Sequence, residues 1–116
     1  MAKKKTTLKT KEERTQYKEE RELSDIRCVA KTPEGRRFLW KQLEQHDIFR
    51  ENDIIDQTES NRFEGRRNIG IRLLNKLTTA KPSLLGQMQE EHASELKREE
   101  IEILIEEEQS DSLSLD

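Results

Sequence analysis

Apolar residues are scarce in this chain, and that scarcity limits what it can fold into more than any other property. Of 116 residues, 26 are Leu, Ile, Val or Phe, while 41% are Asp, Glu, Lys or Arg. The apolar share lies just above the roughly one-fifth below which strongly charged chains stay disordered, so only part of the chain can pack on itself. Four glycines and two prolines are too few for a strand-rich fold with regularly spaced turns. The pattern reads as all-α, with a small three-helix core and charged helical extensions at both ends.

No run approaches the roughly 18 apolar residues of a membrane span, and the Lys-rich start lacks the apolar stretch of a signal peptide. A soluble chain that is not exported by that route is expected. Cys28 is the single cysteine; it cannot form an internal disulfide, which fits a reducing cytoplasm. The net charge of −3 conceals a gradient: residues 1–21 sum to +4, residues 22–87 to +2 and residues 88–116 to −9. A basic head and an acidic tail can meet nucleic acid, meet each other in neighbouring copies of the chain, or simply keep two solvated ends soluble.

Composition divides the chain into a basic arm at 1–10, a charged helical extension at 11–21, a helical core at 22–90, a charged C-terminal helix at 91–108 and an acidic tail at 109–116. Helix one is expected from about Glu12 to Ala30, with Leu23, Ile26, Val29 and Ala30 as its apolar stripe. Helix two opens at Thr32-Pro33-Glu34. There a hydroxyl can accept from an orphan amide, Pro costs no hydrogen bond and Glu suits the positive end of the dipole. It should reach about Gln45, with Leu39 and Leu43 on one face. Residues 47–60 read as a loop pinned to the core by Ile48, Phe49, Ile54 and Ile55.

Helix three is expected to open with Asn61 as cap and Glu64 three residues on. Phe63, Gly70, Leu73, Leu74 and Leu77 then form the strongest core stripe, broadened by Ile69. Gly70 sits where Ala would favour the helix by about 1 kcal/mol, so another element is expected to cross closely there. A break from Thr78 to Ser83 leads to a last helix from about Ser83 to Glu108, and the tail EEEQSDSLSLD has no reason to fold alone.

Glu-Gly-Arg-Arg occurs twice, at Glu34–Arg37 and Glu64–Arg67. Arginines near a helix start oppose the dipole, so another interaction must favour Arg36, Arg37, Arg66 and Arg67. One reading is phosphate or partner-carboxylate binding, which suits guanidinium forks. The other is local pairing with Glu34, Glu44, Asp47 or Glu64 that holds the helices together. Trp40 is expected to anchor a core or interface.

These residues carry a resemblance. The signal formed by Thr32, Pro33, Gly35, Arg36, Arg37 and Trp40 is followed by Asn61, Phe63, Gly65, Arg66, Arg67, Asn68, Gly70 and Leu73. Together they resemble a family of small tailed-bacteriophage proteins named after a Bordetella podovirus protein and encoded among virion and head-morphogenesis genes. The similar stretch runs from about Ser24 to Met88. The resemblance implies a virion or assembly role, with other virion proteins as partners near the portal or neck or inside the head. It implies location in the virion, and in the host cytoplasm during assembly. It assigns no catalytic residues, and the two ends of the chain fall outside it.

Enzymatic chemistry finds no constellation. His46 and His92 are far apart in sequence, no zinc-ligand spacing exists, and the carboxylates run together as on a solvated face. No phosphate-binding glycine loop is present. A non-enzymatic protein without cofactor or metal is therefore expected. Ile101, Ile103, Leu104 and Ile105 follow a charged stretch and read as a docking segment for a partner chain, the other possible cover being helix one of the same chain. Lys3, Lys4 and Lys5 are candidates for nonspecific contact with packaged DNA. A helix-turn-helix built from helices two and three would need a shorter connection, and the chain's acidity disfavours a stand-alone DNA binder. An assembly scaffold or chaperone, or a small DNA-binding phage protein, remains the alternative class.

Overall fold

A computed structural model of the chain describes residues 10–114. Four helices make up most of them: α1 (Lys11–Val29), α2 (Pro33–Gln45), α3 (Gln57–Ala80) and α4 (Leu84–Ser114), with no strand among the described residues. The chain is all-α. It separates into two units, Met1–Leu84 and Leu85–Asp116.

In the first unit, each helix starts where a side chain takes up an orphan amide. The Thr10 hydroxyl accepts from the Glu13 N–H at 3.1 Å, with Glu12 and Glu13 in the first turn. α2 begins as its sequence requires: the Thr32 hydroxyl accepts from the Gly35 N–H at 3.0 Å and Pro33 opens the helix. α3 corrects the expected start. Its cap is Asp56, which accepts from the Glu59 N–H at 2.9 Å, and Asn61 lies inside the helix, accepting from the Gln57 amide at 2.9 Å. Two Asx-x-x-Glu signals compete here, and the earlier one wins for a physical reason. Starting at Gln57 puts Ser60 and Glu64 one turn apart on a face where Asn52 donates to both at 2.9 Å. The far end of α3 also outruns the expected break. The Thr78 and Thr79 hydroxyls donate back to the Leu74 and Asn75 carbonyls, so the helix continues to Ala80 and stops before Pro82.

α3 is the central element of this unit, with α1 and α2 both packed on it. Phe63, Gly70 and Leu77 recur at seven-residue steps as its buried spine, joined by Leu39 and Leu43 of α2 and by Ala30, Ala80 and Leu84. Leu73 and Leu74 are half-buried, and Ile69 is exposed and broadens nothing. α1 buries no residue completely: Leu23 and Ile26 are half-covered and Val29 is exposed. Polar ties complete its docking. Arg27 Nε donates to the Ala80 carbonyl at 2.7 Å, and Lys76 Nζ pairs with Glu22 at 2.8 Å. Residues 11–21 are exposed throughout.

Of the apolar residues expected to pin the connection from α2 to α3, Ile48 lies against Gly70, Phe49 stacks on Trp40 and Ile54 is half-buried, whereas Ile55 is 99% exposed. Asn52 adds a polar tie: beyond its bonds to Ser60 and Glu64, its side-chain oxygen accepts from the Ile54 N–H at 3.2 Å. In the second unit, α4 runs on to Ser114, through the stretch expected to be an unstructured tail. After Gly86 the sequence contains no Gly or Pro, and Glu, Leu and Gln are good helix formers, so nothing local stops the helix.

The close crossing at Gly70 is made by the turn after α2. A Cβ at position 70 would lie 2.7 Å from His46 Cβ and from the Ile48 side chain, whereas one at Gly65 would meet nothing. The repeated Glu-Gly-Arg-Arg segments therefore do different work, for Gly35 is held against the Val29 carbonyl. Gly70→Ala should destabilise the chain by about 1–3 kcal/mol through overpacking. Gly65→Ala should stabilise it by up to about 1 kcal/mol through helix propensity alone. Urea unfolding of both variants checks the pair, and shifts of the same sign would contradict the packing.

Candidate functional site

The turn that crosses Gly70 gathers the most unusual chemistry among the described residues. α2 ends with the Asp47 N–H bonded to the Glu44 carbonyl at 3.1 Å and the Ile48 N–H bonded to the Leu43 carbonyl at 3.3 Å. This paired arrangement calls for a left-handed residue after the last helical position, usually glycine. Here it is Asp47, with φ 57°, the single non-glycine residue of positive φ among those described. Its side chain is also buried, at 7% residue exposure. A buried carboxylate needs partners. Arg66 Nε donates to Oδ2 at 2.9 Å from α3, and Arg50 reaches Oδ1 at 3.4 Å. The Arg50 guanidinium also lies 5.8 Å from the Phe63 ring centre. Beside this, Trp40 stacks on Phe49 with ring centres 4.7 Å apart.

The four arginines of the repeated segment do not form one site. Arg66 serves Asp47 at the end of α2. Arg36 Nη1 donates to the Ala30 carbonyl at 3.0 Å, closing the end of α1 on the other side of α2. The thirteen residues of α2 separate these two points by about 20 Å. Arg37 reaches Glu34 at 4.0 Å with both side chains largely exposed, an arrangement that contributes little. Arg67 is half-buried, and its Nε is buried without a hydrogen-bond partner. Local pairing thus accounts for Arg66 and Arg37, while Glu64 is taken by Asn52. The sequence pattern did not single out Asp47 for its backbone, nor Arg50, Asn52 or Arg27. The available signal was an Asp two residues past a helix end, where Gly or Asn is the usual choice.

The apolar segment of the second unit is placed differently. Ile101, Ile103, Leu104 and Ile105 are 56%, 53%, 59% and 49% exposed. At about 100° per residue, Leu104, Ile101 and Ile105 share one face, and Ile103 lies on the other side of the helix. The four are therefore one face plus a separate residue. Lys3, Lys4 and Lys5 lie outside the described residues. Among those described, no group of three His, Cys, Asp or Glu is arranged to hold a metal ion, and no helix is long and apolar enough to cross a membrane. Comparison with protein-family models, curated proteins and solved structures finds no match.

The Asp47 turn makes an ordered prediction. Asp47→Asn keeps a residue that tolerates the left-handed region and should cost about 1 kcal/mol for the lost charge. Asp47→Gly loses both arginine bonds but has no Cβ to strain. Asp47→Ala loses the bonds and strains the turn, and should cost about 1–2 kcal/mol more than the glycine variant. Thermal unfolding measures the order, and an alanine variant as stable as the glycine variant would remove the left-handed turn from the account.

Proposed function

We propose that this chain is a non-enzymatic structural protein of a tailed bacteriophage. In this reading it is associated with the virion, near the portal or neck or inside the head, and acts by docking to other virion proteins in several copies. It resides in the host cytoplasm during assembly and in the virion afterwards. The observation that carries the docking half of the reading is the face of α4 made by Ile101, Leu104 and Ile105. Three large aliphatic side chains stand exposed on a charged helix whose residues 96–113 are all exposed. Contiguous apolar surface of this kind on a soluble helix is the usual mark of a protein contact, laid into a partner's groove by one helical stripe. Support for the phage half comes from the resemblance of the Thr32–Trp40 and Asn61–Leu73 segments.

The arginines add to the non-enzymatic reading, because Arg36 and Arg66 are occupied in holding helix ends. Ile101, Leu104 and Ile105 are then the partner-contact residues, and Trp40 with Phe49 is an aromatic anchor of the first unit. Mass spectrometry of purified particles tests the assignment. The chain should be present in mature virions; its presence only in assembly intermediates would make it a scaffold or chaperone, and its presence in neither would favour a host-directed or DNA-binding role. Ile101→Asp with Leu104→Asp should abolish incorporation while leaving the urea unfolding of the first unit unchanged. Normal incorporation of that variant would sink the docking face.

A further inference from the structure

α1 and α4 each carry a continuous row of like charge, and the two rows are complementary. On α1, Lys11, Arg14, Lys18 and Arg21 follow one another at steps of three, four and three. At about 100° per residue they fall on one side of the helix, roughly 130° from Leu23, Ile26 and Ala30, whose side meets α3. All four are exposed. Tyr17, 55% exposed, borders the row, with the Arg21 guanidinium 5.8 Å from its ring centre. On α4, Glu91, Glu95, Glu99, Glu102 and Glu106 follow at steps of four, four, three and four. This acidic row is edged by Leu96 and Ile103 on one side and by Ile105 on the other. It points roughly 150° away from Ile101 and Leu104.

Neighbouring like charges at three- and four-residue steps disfavour a lone helix, and along both rows they outnumber the opposite-charge neighbours at the same spacing, which are Lys18–Glu22, Arg21–Asp25, Glu95–Arg98 and Arg98–Glu102. An opposite row alongside offsets the remaining repulsion in both. We propose that the distal acidic face of α4 is an interaction surface for a second copy of this chain, engaged along that copy's basic α1 row. The dimensions agree: Lys11 to Arg21 and Glu95 to Glu106 each span about 15 Å of helix. In the contact, Tyr17 meets the apolar edge formed by Leu96 and Ile103. A symmetric α4–α4 pairing is the wrong occupant, because α4 holds ten acids against Lys97 and Arg98 alone and like-charged surfaces repel. The contact joins different surfaces of the two copies, so it propagates into a ring or an open chain of subunits. It does not rest on the virion reading, and it leaves Ile101 and Leu104 free for a different protein.

Sedimentation of the purified full chain tests the inference without any phage component. In about 50 mM salt the mass should rise above the 13.8 kDa of one chain as concentration increases. In about 500 mM salt the association constant should fall at least about tenfold. One variant reverses the basic row with Lys11→Glu, Arg14→Glu, Lys18→Glu and Arg21→Glu. A second reverses the acidic row with Glu95→Lys, Glu99→Lys, Glu102→Lys and Glu106→Lys. Each alone should be monomeric, with helix content checked by circular dichroism, and an equimolar mixture should associate again because every contact regains opposite charges. A wild-type chain that stays monomeric at all concentrations overturns the proposal. So does association that persists in either variant alone, or a mixture of two helical variants that fails to associate.

Discussion

The pairing of the buried Asp47 with the half-exposed Arg66 is the interaction on which the first unit depends. α2 has to reverse sharply at its end to bring Ile48 onto Gly70, and that reversal uses a left-handed residue. Glycine would satisfy the backbone but would leave α2 and α3 joined only by apolar contact. Aspartate accepts some strain and gains a charge-assisted bond across to α3. Half-exposure of Arg66 keeps the bond from being very strong, yet it fixes register. With Asp47 held, Ile48 fills the space left by Gly70, and Asn52 then ties the following loop to Ser60 and Glu64.

How much of this was legible in the sequence depends on the range of each interaction. Local signals are legible: Thr32 and Pro33 begin α2, and Phe63, Gly70 and Leu77 mark the buried face of α3. The close approach at Gly70 followed from a glycine inside an apolar stripe, although its occupant, the His46–Ile48 turn, did not. The start of α3 is ambiguous in the sequence because Asp56 and Asn61 present equivalent capping patterns, and Asn52, a partner outside the helix, favours the first. The acidic C-terminal stretch has the composition of a tail because it buries nothing. Helix propensity continues through it all the same. For the four arginines the sequence offers Glu34, Glu44, Asp47 and Glu64 as partners without choosing among them, since an ion pair such as Asp47–Arg66 is set by tertiary approach and leaves no periodic trace.

Scarcity of apolar residues is resolved by concentrating them. The core of the first unit is a short list of Leu, Phe and Ala side chains around α3. The remaining length is spent on exposed helix. α1 extends beyond its docked half, and α4 extends with its residues 96–113 uncovered. Isolated helices are marginal in water without tertiary packing. In the proposed assembly, these long exposed helices of ordered charge and one aliphatic face would be surfaces for neighbours to complete.

Native-state hydrogen exchange on the monomeric chain is the most direct measurement of this division. At a concentration and salt where the chain sediments as a single copy, amides between Phe63 and Leu77 and at Leu43 to Ile48 should open only with global unfolding, while those of residues 97–113 should exchange many-fold faster. Protection of residues 97–113 should rise on association. Equal protection of both regions in the monomer would contradict the account, since it would mean that α4 owes nothing to a neighbour.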